Sequence, residues 1–234
     1  MERNTAKRTL EKLLSVCICL CMLGAMLPAQ VFAEEADTAQ TETVQDTAPK
    51  DTVYLSSADD LIQLAKNCRL DSWSQNRTVV LEADIDLSSV DFNGIPSFGG
   101  TWEGQNHAIT GLSLSQDGSV QGLFRYVQQG ALVRDMTVKG RIKPGGTRAS
   151  VGGIAGSNAG TIENCAFDGV VSGTSQIGGI AGVNTGKGSS NDCTVSGTVY
   201  GSHFVGGVVG QNDGVAANCT KAASENTTVS QNEV

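Results

Sequence analysis

One short phrase occurs three times in this 234-residue chain, and its spacing constrains the fold more than any other feature. The copies begin at Gly152, Gly178 and Gly206 and read GGIAGSN, GGIAGVN and GGVVGQN. Their starts lie 26 and 28 residues apart. A unit of this size cannot bury its own apolar face, so it must stack on its neighbours. The period therefore predicts a solenoid.

The segments between the glycine phrases predict β-strands. They alternate apolar and polar residues with period two, as in Cys165-Ala-Phe167-Asp and Cys193-Thr-Val195-Ser. The units are rich in glycine, and each glycine would cost a helix about 1 kcal/mol relative to alanine. A β-helix instead uses glycine at corners, where φ is positive or rungs approach closely. We expect an all-β fold, a right-handed parallel β-helix, with repeats at about 119–149, 150–176, 177–204 and 205–222.

The N-terminal 50 residues predict export and a spacer. Residues 1–33 combine a basic start, an apolar run at 13–27 and a Val-Phe-Ala cleavage site, which is typical of a signal peptide. That run is short for a membrane span, which needs about 20 residues, so no transmembrane segment is expected after cleavage. Residues 34–50 are acidic and poor in large apolar side chains, which predicts a flexible linker.

The body of the chain, residues 51–222, is expected to form the β-helix, followed by a polar tail at 223–234. Ser56-Ser57 and the apolar stripe Leu61, Leu64 and Cys68 predict a short N-capped helix that closes the first turn. The formal net charge of −8 disfavours nucleic acid as a partner.

Overlaying the repeats predicts inward columns of like residues. One column holds Cys165, Cys193 and Cys219, preceded by Met136. Buried thiols are the main interpretation, with a metal site or a redox pair as alternatives. Neighbouring rungs lie about 4.8 Å apart, which exceeds the usual disulfide Cβ separation of about 3.8 Å.

A second column holds Asn158, Asn184 and Asn212, one at the end of each glycine phrase. We expect an internal ladder in which each amide bonds its neighbour or a turn carbonyl, because closing the coil would otherwise bury these groups unpaired. Ligand-binding amides are the alternative.

Metal and catalytic signals are weak. Asp84 and Asp86, near Asp91 and Asn93, offer oxygen ligands for calcium but lack the spacing of an EF-hand loop, so turn capping is the main expectation. No catalytic residue and no cofactor are expected.

Residues 125–148 are unusually basic for an acidic chain. Alternate residues of a strand share a face, so Lys139 and Arg141 should point outward. A positive stripe can recruit acidic glycans or anionic wall polymers such as teichoic acids, and a solvated charged face is the alternative. The six basic residues are Arg125, Arg134, Lys139, Arg141, Lys143 and Arg148.

The repeats resemble a known motif. The glycine phrase and the Asn-Cys pairs at 164–165 and 218–219, from which Asp192-Cys193 departs, resemble the GLUG repeat of secreted and surface proteins from Gram-positive gut bacteria. Residues 81–114 are similar to the segment that precedes those repeats, and the resemblance covers roughly 53–221. The resemblance implies a β-helical module for surface display or for presenting a substrate. Similar regions sit beside the peptidase domain of immunoglobulin A1 peptidases and in adhesin-like proteins.

The expected function is a non-catalytic secreted or cell-surface module for adhesion, display or spacing, with glycans or host surface proteins as partners. One alternative is a polysaccharide-active β-helix enzyme resembling pectate lyases. Another is an accessory region of an immunoglobulin A1 peptidase-like protein that lacks its catalytic domain. The zinc signature His-Glu-x-x-His does not occur in the sequence, whose two histidines are His107 and His203.

Overall fold

The computed structural model describes residues 52–146 and 149–222, and the backbone of residues 228–231. Over these residues the chain forms an all-β parallel solenoid of about six turns with one short helix near its N-terminus. This confirms the predicted fold class, and the right-handed sense stays a prediction. The expected signal peptide (1–33), the linker (34–50) and Arg148 lie outside the described residues.

The described elements are one helix and a series of short strands. The helix α1 spans Ala58–Asn67. The strands are β1 (Val53–Leu55), β2 (Thr78–Leu81), β3 (Ile85–Asp86), β4 (Ile95–Phe98), β5 (Thr101–Glu103), β6 (Ala108–Leu114), β7 (Val120–Gln121), β8 (Phe124–Val127), β9 (Leu132–Ile142), β10 (Ser150–Gly152), β11 (Ala155–Asn158), β12 (Thr161–Ser172), β13 (Ser175–Gly178), β14 (Ala181–Asn184), β15 (Ser189–Asn191), β16 (Thr194–Gly201), β17 (His203–Gly206), β18 (Val209–Asn212), β19 (Val215–Ala217), β20 (Thr220–Lys221) and β21 (Thr228–Gln231).

Three parallel sheets run along the solenoid, one for each side. The long sheet has the order β1-β2-β5-β9-β12-β15-β19, and β3, β6, β16, β20 and β21 extend it. A second sheet has the order β4-β8-β11-β14-β18, and a third has the order β7-β10-β13-β17. The long sheet has 12 strands over about six turns, and the other two sheets have five and four strands.

The register places like residues opposite like residues. On the long sheet Phe167 pairs with Val138 and Val195. All three side chains are at most 1 % exposed. Full burial of such a side chain contributes about 1.5–3 kcal/mol, so each added rung extends one continuous apolar core. The inward columns predicted from the repeat are present.

Helix α1 begins with a cap that its sequence predicts. The Ser57 hydroxyl donates to the Asp60 carboxylate at 2.7 Å and accepts the Asp60 backbone N–H at 3.3 Å. Leu61 and Leu64 are buried in the same core as β1, so the apolar stripe of the helix faces the first turn.

Four residues of the segment predicted as a polar tail form a strand. Residues 228–231 form β21, which pairs in parallel with β16 from Thr198↔Thr228 to Gly201↔Gln231. The segment Thr228-Val-Ser contains β-branched residues that suit a strand, and it joins β16 on the side opposite β12. Residues 228–231 therefore form a strand through backbone pairing with β16, although the segment is polar.

Position 153 requires glycine because two rungs approach closely there. The sequence predicts glycine at corners where φ is positive or rungs approach closely, and Gly153 does not adopt the left-handed region. Instead, a Cβ atom there would lie 2.2 Å from the Gly179 carbonyl oxygen and 2.3 Å from the Phe167 ring. Close contact between rungs, rather than backbone conformation, requires the glycine.

We predict that Gly153→Val destabilises the protein by about 1–3 kcal/mol, the usual range for overpacking a core. Ser157→Val is the matched control, because Ser157 is partly exposed and already pairs with Val183. Thermal unfolding of the two variants, compared with the unmodified protein, measures the difference. Equal melting temperatures would contradict the assigned contact.

Candidate functional site

The three repeat asparagines form a row of amide hydrogen bonds. Asn158 Nδ2 donates to Asn184 Oδ1 at 3.1 Å, and Asn184 Nδ2 donates to Asn212 Oδ1 at 3.2 Å. The same two nitrogens also donate to backbone carbonyls, those of Ser189 and Val215. Asn158 and Asn184 are fully buried, so their amides are used within the fold rather than offered to a ligand.

We predict that Asn184→Ala costs about 1–3 kcal/mol of unfolding free energy, because it leaves buried polar groups without partners. The buried Ser190 hydroxyl loses its acceptor, and Asn158 Nδ2 keeps only its bond to the Ser189 carbonyl. Asn212→Ala is the matched control: Asn212 is exposed on the last described turn, and Asn184 Nδ2 keeps its bond to the Val215 carbonyl without it. Denaturant titration should show a clearly smaller loss for the control, and losses of equal size would argue against the ladder as a stabilising element.

The cysteine column consists of free thiols. Cys165, Cys193 and Cys219 each donate to the carbonyl two residues earlier, at 3.1–3.3 Å. Burial raises the pKa of the Cys165 and Cys193 thiols, and it raises the pKa of Cys68 to about 11. Cys219 is only partly buried, because it lies on the last described turn. The thiols therefore differ in exposure along the column.

We predict graded reactivity with a thiol reagent. In the folded protein Cys219 should react first, while Cys68, Cys165 and Cys193 should react only after unfolding, since a buried thiol with a raised pKa holds little thiolate at neutral pH. Peptide mapping by mass spectrometry assigns each label. In the variant Cys219→Ser no rapid label should appear on the described part of the chain. Rapid labelling of Cys165 or Cys193, or a disulfide between them, would contradict this assignment.

A second polar column consists of the residues before each member of the Met/Cys column, to which the sequence analysis assigned no structural role. Asp135, Asn164, Asp192 and Asn218 all adopt the left-handed conformation, with φ between 47° and 57°. Asn and Asp tolerate this region better than other residues with a side chain. Each one directly precedes a member of the Met/Cys column, and that recurrence was the available signal. These bends turn the long strands so that the next side chain points into the core.

The same column borders a small polar cleft of about 170 Å³. Asn164 Nδ2 donates a hydrogen bond to Oδ1 of Asp135 on the neighbouring strand β9. Two members of the column are therefore hydrogen-bonded to each other. The cleft is lined by Asn106, Met136, Thr137, Asn164, Cys165, Ala166, Asp192 and Thr194.

The two calcium candidates serve as turn caps. Asp84 Oδ1 accepts the Ala108 backbone N–H at 2.8 Å and lies 3.1 Å from His107 Nδ1. Asp86 accepts both the backbone N–H and the hydroxyl of Ser88 at 2.9 Å. These hydrogen bonds lower the pKa of both carboxyl groups. Within the described ranges, no group of three or more acidic, histidine or cysteine side chains is arranged to hold a metal ion.

The structure divides the expected basic stripe. Arg134 forms a bidentate ion pair with Glu103, at 2.7 and 2.9 Å. Arg125 lies on β8 in another sheet, where its Nη2 donates to the Asn93 carbonyl at 3.1 Å. Strand parity identified the outward residues of β9, but it could not show that the chain turns a corner between Arg125 and β9.

Three cations remain together at the outer face of the long sheet, and we call them the cation row: Lys139, Arg141 and Lys143. They are exposed at alternate positions, so their Cα atoms follow one another at about 7 Å. Among the described residues none of them lies within 4.0 Å of a carboxylate, although Lys139 is in register with exposed Asp168. Lys139 is near enough to Asp84 to help lower the pKa of that carboxyl group, and Lys143 hydrogen-bonds the Tyr200 hydroxyl, but no member of the row forms an ion pair within the described part of the chain.

Comparison with known proteins finds the same repeat. Residues 147–172 match the GLUG motif. Halomucin from Haloquadratum walsbyi is 30% identical over 128 residues, which cover 47% of this chain and 1% of halomucin. A crystal structure described as an immunoglobulin A1 protease from Bacteroides ovatus superposes with a TM-score of 0.61 at 22% identity, covering 81% of this chain and 60% of that one.

These likenesses establish the repeat and the fold. At 22% identity the structural match concerns the fold alone, and the chain spans only a small part of halomucin. The Gram-positive source implied by the sequence resemblance stays a prediction. In the part of the chain that the structure describes, no helix is both long and apolar enough to cross a bilayer.

Proposed function

We propose that this protein is a non-catalytic secreted or cell-surface β-helix module that adheres to anionic polymers, namely acidic glycans or wall polymers. The observation that carries the proposal is the cation row, whose members form no ion pair among the described residues although the chain has a formal net charge of −8. An isolated positive region of this kind concentrates negatively charged partners.

The geometry of the row suits a polymer better than a single ion. The cations are held on one strand and its direct continuation, with the Lys143 backbone N–H bonded to the Leu114 carbonyl at 2.8 Å. Their spacing of about 7 Å allows successive charged groups of a linear chain to bind in sequence. Because β9 is paired on both sides, the backbone that carries the row is already ordered, and only the side chains must be ordered when the polymer binds.

Export is the second part of the proposal. Its supports are the signal-peptide pattern of residues 1–33 and the similarity to halomucin and to the Bacteroides ovatus protein. A solenoid with an in-register core extends a surface away from its attachment point, which suits display or spacing.

A second candidate is an accessory region that presents substrate to an immunoglobulin A1 peptidase-like domain. The structural likeness to the protein described as an immunoglobulin A1 protease favours it. Direct binding of immunoglobulin A1 to the immobilised chain distinguishes this role from polymer adhesion.

We predict that the double variant K139Q/R141Q binds immobilised polygalacturonate or teichoic acid about tenfold more weakly than the unmodified chain, as expected for the loss of two charge contacts. The matched control is K187Q/K221Q, which removes the same charge from positions away from the row. Binding should also weaken with added salt, since exposed charges are screened. Surface plasmon resonance at several salt concentrations measures both effects, with neutral dextran as the reference polymer.

Equal loss in the two double variants would show that only net charge matters and would contradict a role for the row. Equal binding to dextran and to the acidic polymers would contradict the proposal altogether.

A further inference from the structure

A second cavity lies beside the N-terminal helix, away from the cation row. It has a volume of about 230 Å³ and lies between α1 and the segment that leads into β4. Ligand pockets for larger molecules usually measure about 300–1,000 Å³, so this cleft suits a ligand of monosaccharide size. Its lining residues are Ile62, Ala65, Lys66, Arg69, Asp91, Phe92, Asn93, Gly94, Pro96 and Arg125.

Three cations converge on the cleft from two elements. Lys66 lies in the last turn of α1, Arg69 follows the helix, and Arg125 reaches in from β8. Within the described residues none of them is within 4.0 Å of a carboxylate. Asp91 is the one acidic residue in the lining, so the cleft is positively charged overall.

The guanidinium of Arg125 is incompletely bonded. Its Nη2 donates to the Asn93 carbonyl at 3.1 Å, whereas its Nε is buried and has no hydrogen-bond partner. A buried donor without a partner is unfavourable, and nearly all such groups in folded proteins are satisfied. Arg125 lines the cleft, where a carboxylate can accept charge-assisted hydrogen bonds from its terminal guanidinium nitrogens.

The remaining wall is apolar. Phe92 is only 4% exposed, while Ile62 and Ala65 on the helix and Pro96 in β4 are partly exposed. The cleft therefore has a cationic side and an apolar side. The apolar side can contact the C–H groups on one face of a sugar ring. The Asp91 carboxylate is exposed and can accept hydrogen bonds from hydroxyl groups.

We propose that this cleft binds a small hydroxylated carboxylate of monosaccharide size, such as a uronic acid. Arg125, Lys66 and Arg69 hold the carboxylate, Asp91 accepts a hydroxyl, and Phe92 and its apolar neighbours contact the ring. The site shares no residue with the cation row, so it does not depend on the proposed polymer adhesion.

The test uses the full chain with glucuronate and glucose as probes, because these sugars share a ring and differ in the carboxylate. Ligand-observed NMR titrations give the dissociation constants. Glucuronate is expected to bind at least about tenfold more tightly than glucose, and Arg125→Gln should weaken glucuronate binding by about tenfold. Arg141→Gln, which removes a cation from the cation row, is the matched control and should leave glucuronate binding unchanged.

Lys66→Gln provides a second variant on an exposed position of the helix, where loss of folding is not expected, and it should also weaken glucuronate binding. Three results would each overturn the proposal. They are equal affinity for glucuronate and glucose, no binding of glucuronate at concentrations up to about 50 mM, and equal effects of R125Q and R141Q on glucuronate binding. If R141Q alone weakens glucuronate binding, the carboxylate binds the cation row instead.

Discussion

Each turn of the solenoid is joined to the next by parallel backbone hydrogen bonds that keep equivalent residues opposite one another. The pairing of Phe167 with Val138 and Val195 shows the result, a column of apolar side chains that continues from turn to turn. A shift of one residue would exchange the inner and outer faces of a strand. The core, the asparagine row and the thiol column all depend on this register, because each needs its members at one rung spacing.

The outer surface depends on the same register. Lys139 and Arg141 lie outward because Val138 and Ile142 lie inward, and neighbouring strands hold β9 on both sides. The backbone that carries the cation row is thus held within the framework. The cleft beside α1 is different, since it arises where the helix meets β4 and brings Lys66 close to Arg125. The cation row therefore arises from the repeated strands, whereas the cleft arises from helix α1, which precedes the repeats.

Several features required the tertiary structure. The left-handed residues from Asp135 to Asn218 were visible as a recurrence, but their role appears only when each is seen to bend a strand before a core residue. The Arg134 charge is neutralised by Glu103, a residue 31 positions earlier that the register places beside it. Residues 228–231 pair with β16 at the edge of the long sheet. The position of that edge cannot be inferred from the local sequence of the segment.

The sequence by itself determined the class of fold, the period, the inward columns and the capped helix, because these follow from local alternation, glycine spacing and capping chemistry. It also determined which residues of β9 point outward, since strand parity is a local property. Only the tertiary structure decided which charges remain free and which residues form a cleft. Both outcomes depend on distances between segments that are far apart in the sequence. Arg125 is the clearest case, because it lies on a different sheet from β9 and lines the same cleft as Lys66.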